Sequence, residues 1–526
     1  MPSRSTDYLY DLIYTLTKAE KRSCRIFLNK KSSDEEGLKN MQLFDAIEKT
    51  LNPCDCAILK KCPSLNCKQL PNLKQYLYKN ILKCLRRLKE ENNIEIQLHE
   101  QLDYAKILFE KGLFNDSLKT LYKMKEQAKK YDQFSYLMQA LIFETAFKMN
   151  HPSSFEETEL HKLFNDSFEI QNRVSLLLRL SNLSLFFFNW FFKNGHSHKK
   201  NDVDYLQNML RLTLQDVKAI DEDDFYTALF IAQCKCWLAY ITNDYTVFYK
   251  NAYKWINLFK RSPLMIEVEP LFYLKGIQYL LIASFLLRHN ALFDEHITLL
   301  EEFKEKNKLD QASVSYNSAC TYLLSAKINY RLMKGITNGN EQLVWDIENH
   351  MIVNESRINF HHQMIFQYKL GSLFFCEGKY DRCIKQLNNI LNNKTDVRTD
   401  LQCYARLLHI LAHFESGNHE LIEYLSKSAY RFLKKLHDPS AAEKLILSFF
   451  QKYFMLASGQ INIAMNKFMV YITRFLQEND LSDIFLSYLD IESWVKGKLN
   501  NVPTAEIIKG KFNNRKTKTL PVQVVG

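Results

Sequence analysis

Glycine and proline are scarce in this chain of 526 residues, which contains 13 Gly and 10 Pro. No proline occurs between Pro270 and Pro439. Because sheet proteins need frequent turn residues, this scarcity favours long helices joined by short polar loops. Apolar residues make up 46% of the chain and aromatic residues 13%, which argues against wholesale disorder. We therefore expect an all-α protein that is folded through most of its length.

Motifs that mark common enzyme sites are also missing. The sequence contains no GxxxxGK[ST] phosphate loop, no GxGxxG after a strand, no HExxH and no GxSxG. A helical array also offers few strand-end loops or preorganised oxyanion sites. We expect a protein that is not an enzyme and that needs no cofactor.

The chain start and the cysteines show no sign of export. Residues 1–6 do not resemble the charged beginning of a leader, and the 12 cysteines lack the spacing of a small disulfide scaffold. We expect a cytoplasmic protein.

One segment, residues 174–192, is long and apolar enough to be considered as a membrane span. It contains Arg179, and an arginine in the middle of a membrane helix costs roughly 2.5–3.5 kcal/mol. We expect no membrane span and interpret the segment as a buried or groove-lining helix. Its bulky residues are Phe186, Phe187, Phe188, Trp190, Phe191 and Phe192. Since they cannot all face one side of a helix, some should lie on a concave wall or a second interface.

A helical-repeat pattern begins at Gln367, in the segment QYKLGSLFFCEGKYDRCIKQLNNI. The residues at the spacing that a tetratricopeptide unit uses for helix packing are Leu370, Gly371, Phe374, Gly378, Tyr380, Cys383, Leu387 and Ile390. Two antiparallel helices are implied. Gly371 allows a close approach of the neighbouring helix, and Gly378 permits the positive φ of the tight turn. Such units stack into solenoids that act mainly as surfaces for partners.

The same offsets recur along the chain. A copy near Gln101 places Tyr104, Ala105, Leu108, Gly112, Phe114, Ser117, Leu121 and Met124 at these positions. A third copy has Gly417, 39 residues after Gly378, and a degenerate copy has Asn243 at the turn. We predict a right-handed, TPR-like α-solenoid of stacked antiparallel helical hairpins at residues 94–511. An amino-terminal helical cap with a cysteine-rich loop precedes it at residues 1–93, and a flexible basic tail follows at residues 512–526.

Three segments resemble those of a known family. They are RLLHILAHFESGNHELIEYLSKSAYRFLKK from Arg406, LTKAEKRSCRIF from Leu16 and IESWVKGKLNNVPTAEIIKGKF from Ile491. They are similar to segments of a large family of tetratricopeptide-like helical proteins of Bacteroidota-type bacteria. The resemblance implies an all-helical cytoplasmic repeat protein and carries no assigned activity. The cysteine-rich insertion after Pro53 and the basic tail after Phe512 do not resemble that family.

Positive charge is concentrated near the amino terminus. Residues 52–89 contain nine Lys or Arg and one acidic residue. A helix predicted at residues 72–88 places Leu73, Leu77, Ile81, Leu85 and Leu88 on one side. The other side carries Lys79, Lys83, Arg86, Arg87 and Lys89. These side chains could contact nucleic-acid phosphates, although the same amphipathic helix could equally dock onto the repeats.

Metal-ligand residues cluster at one place. Cys54, Cys56, Cys62 and Cys67 lie within fourteen residues and could surround Zn²⁺. Their intervals of one, five and four residues do not match common zinc ribbons, so a reduced cysteine-rich loop is the favoured interpretation. His196 and His198 are expected in a surface loop. His361 and His362 are expected at the start of a helix, and we assign them no function.

The sequence as a whole predicts a non-enzymatic scaffold that binds a peptide or helix of another protein on its helical-repeat surface. The alternative is a regulator that binds nucleic acid through its basic amino-terminal helix and uses the repeats as a sensing or partner module.

Overall fold

The computed structural model describes residues 7–29, 35–50, 54–62, 65–150, 156–197, 199–215, 224–306, 313–355, 357–393, 397–436, 441–453, 460–478 and 488–515. These residues form twenty-five α-helices and no β-strand, which confirms the all-α class. The chain divides into two compact units. Unit 1 comprises Met1–Val174 with Asp310–Ser313, and unit 2 comprises Ser175–Leu309 with Val314–Gly526. The boundary predicted at residue 93 therefore falls inside unit 1.

Unit 1 contains eight complete helices and the start of a ninth in its described residues. They are α1 (Asp7–Thr15), α2 (Lys18–Asn29), α3 (Glu35–Glu48), α4 (Asp55–Lys61), α5 (Leu70–Lys89), α6 (Ile94–Glu110), α7 (Phe114–Lys130), α8 (Phe134–Asn150) and α9 (Glu157–Asn194), which continues into unit 2. Helices α1–α5 surround one core that includes Ile13, Phe44 and Leu77. Helices α6, α7 and α8 pack one after another.

Unit 2 contains the rest of α9 and sixteen further helices in its described residues. They are α10 (Lys200–Gln215), α11 (Phe225–Ile241), α12 (Tyr245–Arg261), α13 (Leu264–Val268), α14 (Pro270–Leu286), α15 (Asn290–Lys306), α16 (Val314–Lys334), α17 (Glu341–Val353), α18 (Phe360–Cys376), α19 (Tyr380–Leu391), α20 (Thr399–Glu415), α21 (His419–Leu436), α22 (Ala441–Tyr453), α23 (Ile461–Glu478), α24 (Ile491–Asn500) and α25 (Thr504–Arg515). From α10 onward, consecutive helices pack against each other. In addition, α14 contacts α16, α16 contacts α18, and α18 contacts α20. We call these four helices the central row.

The turns between paired helices have the backbone geometry that the sequence predicts. Gly112, Gly378 and Gly417 have φ of +75°, +71° and +77°, and Asn243 has φ of +63°. After α18, the N–H of Lys379 donates to the carbonyl of Phe374 at 2.8 Å, which satisfies a carbonyl at the helix end. A residue in the left-handed region therefore ends each of these first helices.

Small residues lie where paired helices approach most closely. A Cβ added at Gly371 of α18 would lie 3.1 Å from Cδ2 of Leu387 in α19. In the α6–α7 pair, the Ser117 hydroxyl donates to the carbonyl of Ala105 at 2.7 Å. Cys383 on α19 is fully buried in the same seam as Leu387. These contacts are those of helical hairpins with tightly packed seams.

The carboxyl-terminal helices return to the central row. Helix α25 packs against α16, and the Trp494 indole of α24 donates to Glu415 of α20 at 2.7 Å. Helix α25 continues to Arg515, so the first four residues of the predicted tail are helical. In this part of α25, the Phe512 ring contacts α16, because the Lys334 ammonium lies 5.4 Å from its centroid. Residues 516–526 lie outside the described part of the chain.

Helix α9 is the one helix among the described residues that is long and apolar enough to cross a membrane by length and composition. In its most apolar stretch, 33% of the residues are buried inside the protein.

Candidate functional site

Unit 2 contains a partly open cavity of about 450 Å³ beside the central row. Helices α14, α16 and α18 supply most of its lining residues, and α9, α11 and α12 supply one side. The remaining lining residues come from the start of α20, from the segment before α24, which contributes Tyr488 and Asp490, and from α25, which contributes Ile508. The residues come from segments more than 300 positions apart in the chain. The volume falls in the range of small-ligand sites, roughly 300–1,000 Å³.

Aromatic rings form much of the wall. They are Phe188, Phe191, Phe192, Trp237, Tyr240, Phe248, Tyr279, Phe285, Tyr322, Tyr368 and Tyr488. The rings pack edge to face: Phe188 and Trp237 have centroids 5.3 Å apart, and Trp237 and Tyr279 5.9 Å apart. Of the aromatic run on α9, Phe188, Phe191 and Phe192 line the cavity, and Phe187 and Phe191 are buried.

Two lysines stand on this aromatic wall. Lys369 of α18 donates to the Ser325 hydroxyl of α16 at 2.6 Å, and Lys275 of α14 lies 5.8 Å from the centroid of the Tyr279 ring. Burial lowers the pKa of Lys369 to about 7, with a smaller contribution from the charge of Arg398. Burial also lowers the pKa of Lys275. Both side chains keep intermediate exposure although protein surrounds them, because they face the cavity.

Neither lysine has an anionic partner in the described part of the chain. The ion pairs formed by described residues do not include Lys275 or Lys369. Among the described residues, Lys369 makes one side-chain hydrogen bond, to Ser325, and Lys275 makes none. Lowered lysine pKa values of this kind reflect an ammonium that has lost water without gaining a counter-charge. The wall therefore carries two lysine amines without an anionic partner among the described residues, and that of Lys369 is only partly protonated at pH 7.

Arg398, in contrast, is fully paired. It makes two hydrogen bonds to Asp400, at 2.9 and 2.8 Å, and donates to the Tyr488 hydroxyl at 3.2 Å. Burial acts to lower the pKa of Arg398, but Asp400 outweighs this effect and the pKa is raised. Burial likewise opposes the charge of Asp400, yet Arg398 holds the pKa of that carboxyl below its ordinary value. This buried pair is charge-balanced and fixes the start of α20.

His361 and His362 at the start of α18 also line the cavity. Burial lowers the pKa of both, that of His362 to about 4, and the charges of Lys369 and Arg398 lower both further. Both imidazoles are therefore neutral at pH 7. No function is predicted for His361 and His362 from the sequence, and no sequence motif includes Lys369. The signal that could have found them is the repeat register, because these positions lie on the face of α18 opposite the Gly371 seam.

The basic side chains predicted as a nucleic-acid surface lie together on unit 1. Lys79, Lys83, Arg86, Arg87 and Lys89 are all exposed on α5. Leu73, Leu77 and Ile81 on the other side are buried, as the helical wheel predicts, whereas Leu88 is exposed. The structure thus keeps the five cations on one exposed side of a single helix.

The cysteine cluster does not assemble into a metal site. Cys54, Cys56 and Cys67 are exposed and Cys62 is half-buried, with its thiol 3.6 Å from the Gln42 carbonyl. Within the described ranges, no group of three or more His, Cys, Asp or Glu side chains could hold a metal ion.

His196 differs from its predicted position in a surface loop. Its Nδ1 lies 2.9 Å from the Tyr240 carbonyl oxygen, and its ring packs against Phe191. The aromatic end of α9 covers it, which the polar composition around it did not indicate. His198 lies outside the described residues.

Comparison with protein-family models, with curated proteins and with solved structures found no match to this chain. The chemistry of the cavity is therefore what bears on function. An aromatic enclosure with two unneutralised cations suits a ligand that is apolar and carries negative charge.

Proposed function

We propose that this protein is a non-enzymatic, cytoplasmic scaffold, built as a TPR-like α-solenoid with an amino-terminal helical cap, that binds a peptide of another protein. The observation that carries this proposal is the aromatic cavity of about 450 Å³ beside the central row. A helix is about 10–12 Å wide with its side chains, so a helix of several turns needs more space than this. A short peptide segment that inserts its apolar side chains fits better.

The solenoid part of the proposal rests on the packing of unit 2. Consecutive helices pair, and the central row repeats the contact between alternate helices three times. Left-handed turn residues end the first helices of the α6–α7, α11–α12, α18–α19 and α20–α21 pairs. These features are typical of stacked hairpin repeats, whose function is most often to present a surface to a partner.

The non-enzymatic part rests on the state of the reactive groups at the cavity. Burial raises the pKa of the Cys376 thiol to about 12, so this potential nucleophile is protonated at neutral pH. The His362 Nδ1 lies 2.7 Å from the Asn359 side-chain oxygen, which caps the same helix. Arg398 and Asp400 neutralise each other. Among Cys376, His362, Arg398 and Asp400, no nucleophile is paired with a base.

Filling the cavity tests the proposal. Gln278 lines the cavity on α14, and Leu271 on the same helix is 44% exposed. We expect the neutral fluorescent probe N-phenyl-1-naphthylamine to bind the wild type and Leu271→Trp, and to bind Gln278→Trp at least about tenfold more weakly because the indole occupies the space. A protein partner captured from lysate should be retained by Leu271→Trp and lost with Gln278→Trp. Equal probe binding by Gln278→Trp and the wild type would remove the cavity from the proposal.

A second candidate function is nucleic-acid binding through α5, favoured by the five exposed cations on one side of that helix. Each phosphate contact releases a counterion, so binding should weaken steeply with salt. In a mobility-shift titration at low salt, we expect retardation that is lost when Lys79, Lys83, Arg86 and Arg87 are changed to Gln. The control variant changes four exposed lysines of α7 to Gln: Lys119, Lys123, Lys129 and Lys130. Equal retardation of both variants would exclude α5 as the binding surface.

A further inference from the structure

We propose that the cavity recognises an organic anion, an apolar body that carries one negatively charged group, and that the positive charge of Lys275 and Lys369 favours that group. This inference rests on the proposed function and names the chemistry of the group that enters the cavity.

The two lysines reach the cavity from alternate helices of the central row, with α16 between them. Lys275 is on α14, Lys369 is on α18, and Ser325 on the intervening α16 accepts the hydrogen bond from Lys369. Each ammonium has three donor hydrogens, and the contact with the Ser325 hydroxyl uses one of those of Lys369. A carboxylate, sulfonate or phosphate oxygen is the acceptor that an ammonium prefers. Lys275 and Lys369 thus bring ammonium donors from two helices to the lining of the same cavity.

Two other charged lining residues, Arg398 and Asp490, are paired, and the Arg288 guanidinium lies 5.1 Å from the centroid of the Phe285 ring. Arg398 is paired with Asp400, and the Asp490 carboxylate lies 3.1 Å from the Lys511 ammonium. The two histidines are neutral at pH 7, for the reasons given above. The residual charge on the lining is therefore positive, which favours an anion and disfavours a cationic ligand.

An unpaired buried cation costs folding free energy. Two of them on one wall raise the free energy of the empty protein, and a ligand that supplies the missing charge recovers that cost on binding. An apolar ligand without charge would leave both cations unpaired. The same cavity should therefore discriminate between two ligands of equal shape that differ only in a negative group.

A matched pair of fluorescent probes tests this discrimination. 8-Anilino-1-naphthalenesulfonate and N-phenyl-1-naphthylamine share the aromatic body, and only the first carries a sulfonate. We expect the wild type to bind the sulfonate at least about tenfold more tightly. Lys275→Met with Lys369→Met should remove this preference and leave the affinity for the neutral probe within about twofold, since methionine keeps the volume.

Two controls separate charge from structure. Lys385→Met changes an exposed lysine on α19, away from the cavity, and should keep the preference. Lys369→Arg retains a cation and should keep at least part of it. Circular dichroism and melting temperature establish that each variant is folded, because partly unfolded chains also bind the sulfonate probe.

Two further pairs identify the source of the anion. The peptides acetyl-Leu-Glu-Phe-amide and acetyl-Leu-Gln-Phe-amide differ in one side-chain charge, as do 3-phenylpropionate and 3-phenylpropanamide. Tighter binding of the glutamate peptide by calorimetry supports an acidic peptide, and tighter binding of phenylpropionate supports a small organic acid. Both outcomes support the inference only if the double lysine variant loses the preference.

Equal affinity of the wild type for both members of every pair would overturn the inference, and so would a preference that survives in the double lysine variant. These results differ from failure of the proposed function. In that case, the neutral probe would bind the wild type no better than Gln278→Trp, whatever the outcome for the charged pairs.

Discussion

Helices α6–α8 in unit 1 and α18–α20 in unit 2 carry the same repeat pattern but use it differently. Ala105, Gly112 and Phe114 occupy the positions that Gly371, Gly378 and Tyr380 occupy in the later segment. The turns match, with φ of +75° at Gly112 and +71° at Gly378. The pattern therefore fixes the hairpin in both places.

The difference lies on the face of the first helix that does not enter the hairpin seam. On α6, the residue at the position of Lys369 is Asp103, which is exposed, and Ile107 is 53% exposed. On α18, the same face is covered by aromatic rings from α9 and by Tyr488, and it carries the unneutralised lysine. The same repeat register therefore produces a solvated surface on α6 and a cavity wall on α18. The difference depends on which segments cover the face of the first helix that lies outside the hairpin seam.

Removing one member of a buried ion pair should lower the unfolding free energy more in the α18–α20 segment than in the α6–α8 segment. Arg398→Met leaves the Asp400 carboxylate buried without its partner, and we expect a loss of about 3–5 kcal/mol in unfolding free energy. In the earlier segment, Lys125→Met should cost about 1–2 kcal/mol, because Glu144 keeps Lys148 at 3.7 Å. Hydrogen exchange resolved by peptide measures each region separately.

The double variant Arg398→Met with Asp400→Asn is the control for this prediction. It removes both charges and should recover a large part of the lost stability. A cost below about 1 kcal/mol for Arg398→Met alone would show that water reaches Asp400 and that the pair is not buried in solution.

Lys369→Met should raise the unfolding free energy, whereas Arg398→Met should lower it. Removing an unpaired cation should stabilise the empty protein by about 1–3 kcal/mol near neutral pH, after allowance for water in the cavity. Its counterpart on the exposed face, Asp103→Met, should change stability by less than about 0.5 kcal/mol. Thermal melts of the two variants at matched pH make the comparison.

The pH dependence sharpens this prediction. The folded pKa of Lys369 is about 7, below the value of about 10.4 for an unfolded lysine. Between these values the unfolded chain binds more protons, so the contribution of Lys369 to the unfolding free energy rises with pH from 7 to about 10.4. Lys369→Met should lose this rise and Asp103→Met should keep it. Equal slopes in both variants would mean that Lys369 is solvated as an ordinary surface lysine.

The sequence predicts the features of these two segments that depend on a few neighbouring residues. Scarce turn residues predict helices, and Gly112, Gly378 and Asn243 predict left-handed turns, because each effect acts within a few neighbouring residues. The cavity was beyond this reasoning. Lys369 and Tyr488 are over a hundred residues apart, and nothing in the register of α18 shows that a distant segment covers its free face. The aromatic run on α9 was the one local sign of a wall.

The two turn glycines should respond alike to substitution. A Cβ added at Gly112 or at Gly378 would meet no atom within 4 Å, so only the strain of the left-handed backbone remains. We expect Gly112→Ala and Gly378→Ala each to cost about 1–2 kcal/mol. Peptide-resolved hydrogen exchange should show the loss in the corresponding hairpin. Costs that differ by more than about 1 kcal/mol would show that the two turns are not equivalent in solution.

The smallest change in unfolding free energy is expected when the small residue at the hairpin seam of one segment is replaced by that of the other. Gly371→Ala places in α18 the residue that α6 already has at Ala105. Alanine gains about 1 kcal/mol of helix propensity over glycine, but the new Cβ lies 3.1 Å from Cδ2 of Leu387, which must shift by a few tenths of an ångström. These effects oppose each other, and we expect a net change within about 0.5 kcal/mol of zero. Ala105→Gly loses helix propensity and relieves no close contact at the seam, so it should lower the unfolding free energy by about 1 kcal/mol. A loss above about 2 kcal/mol for Gly371→Ala would show that the α18–α19 seam is packed too tightly to yield, and that the two hairpins differ in their seams as well as in their free faces.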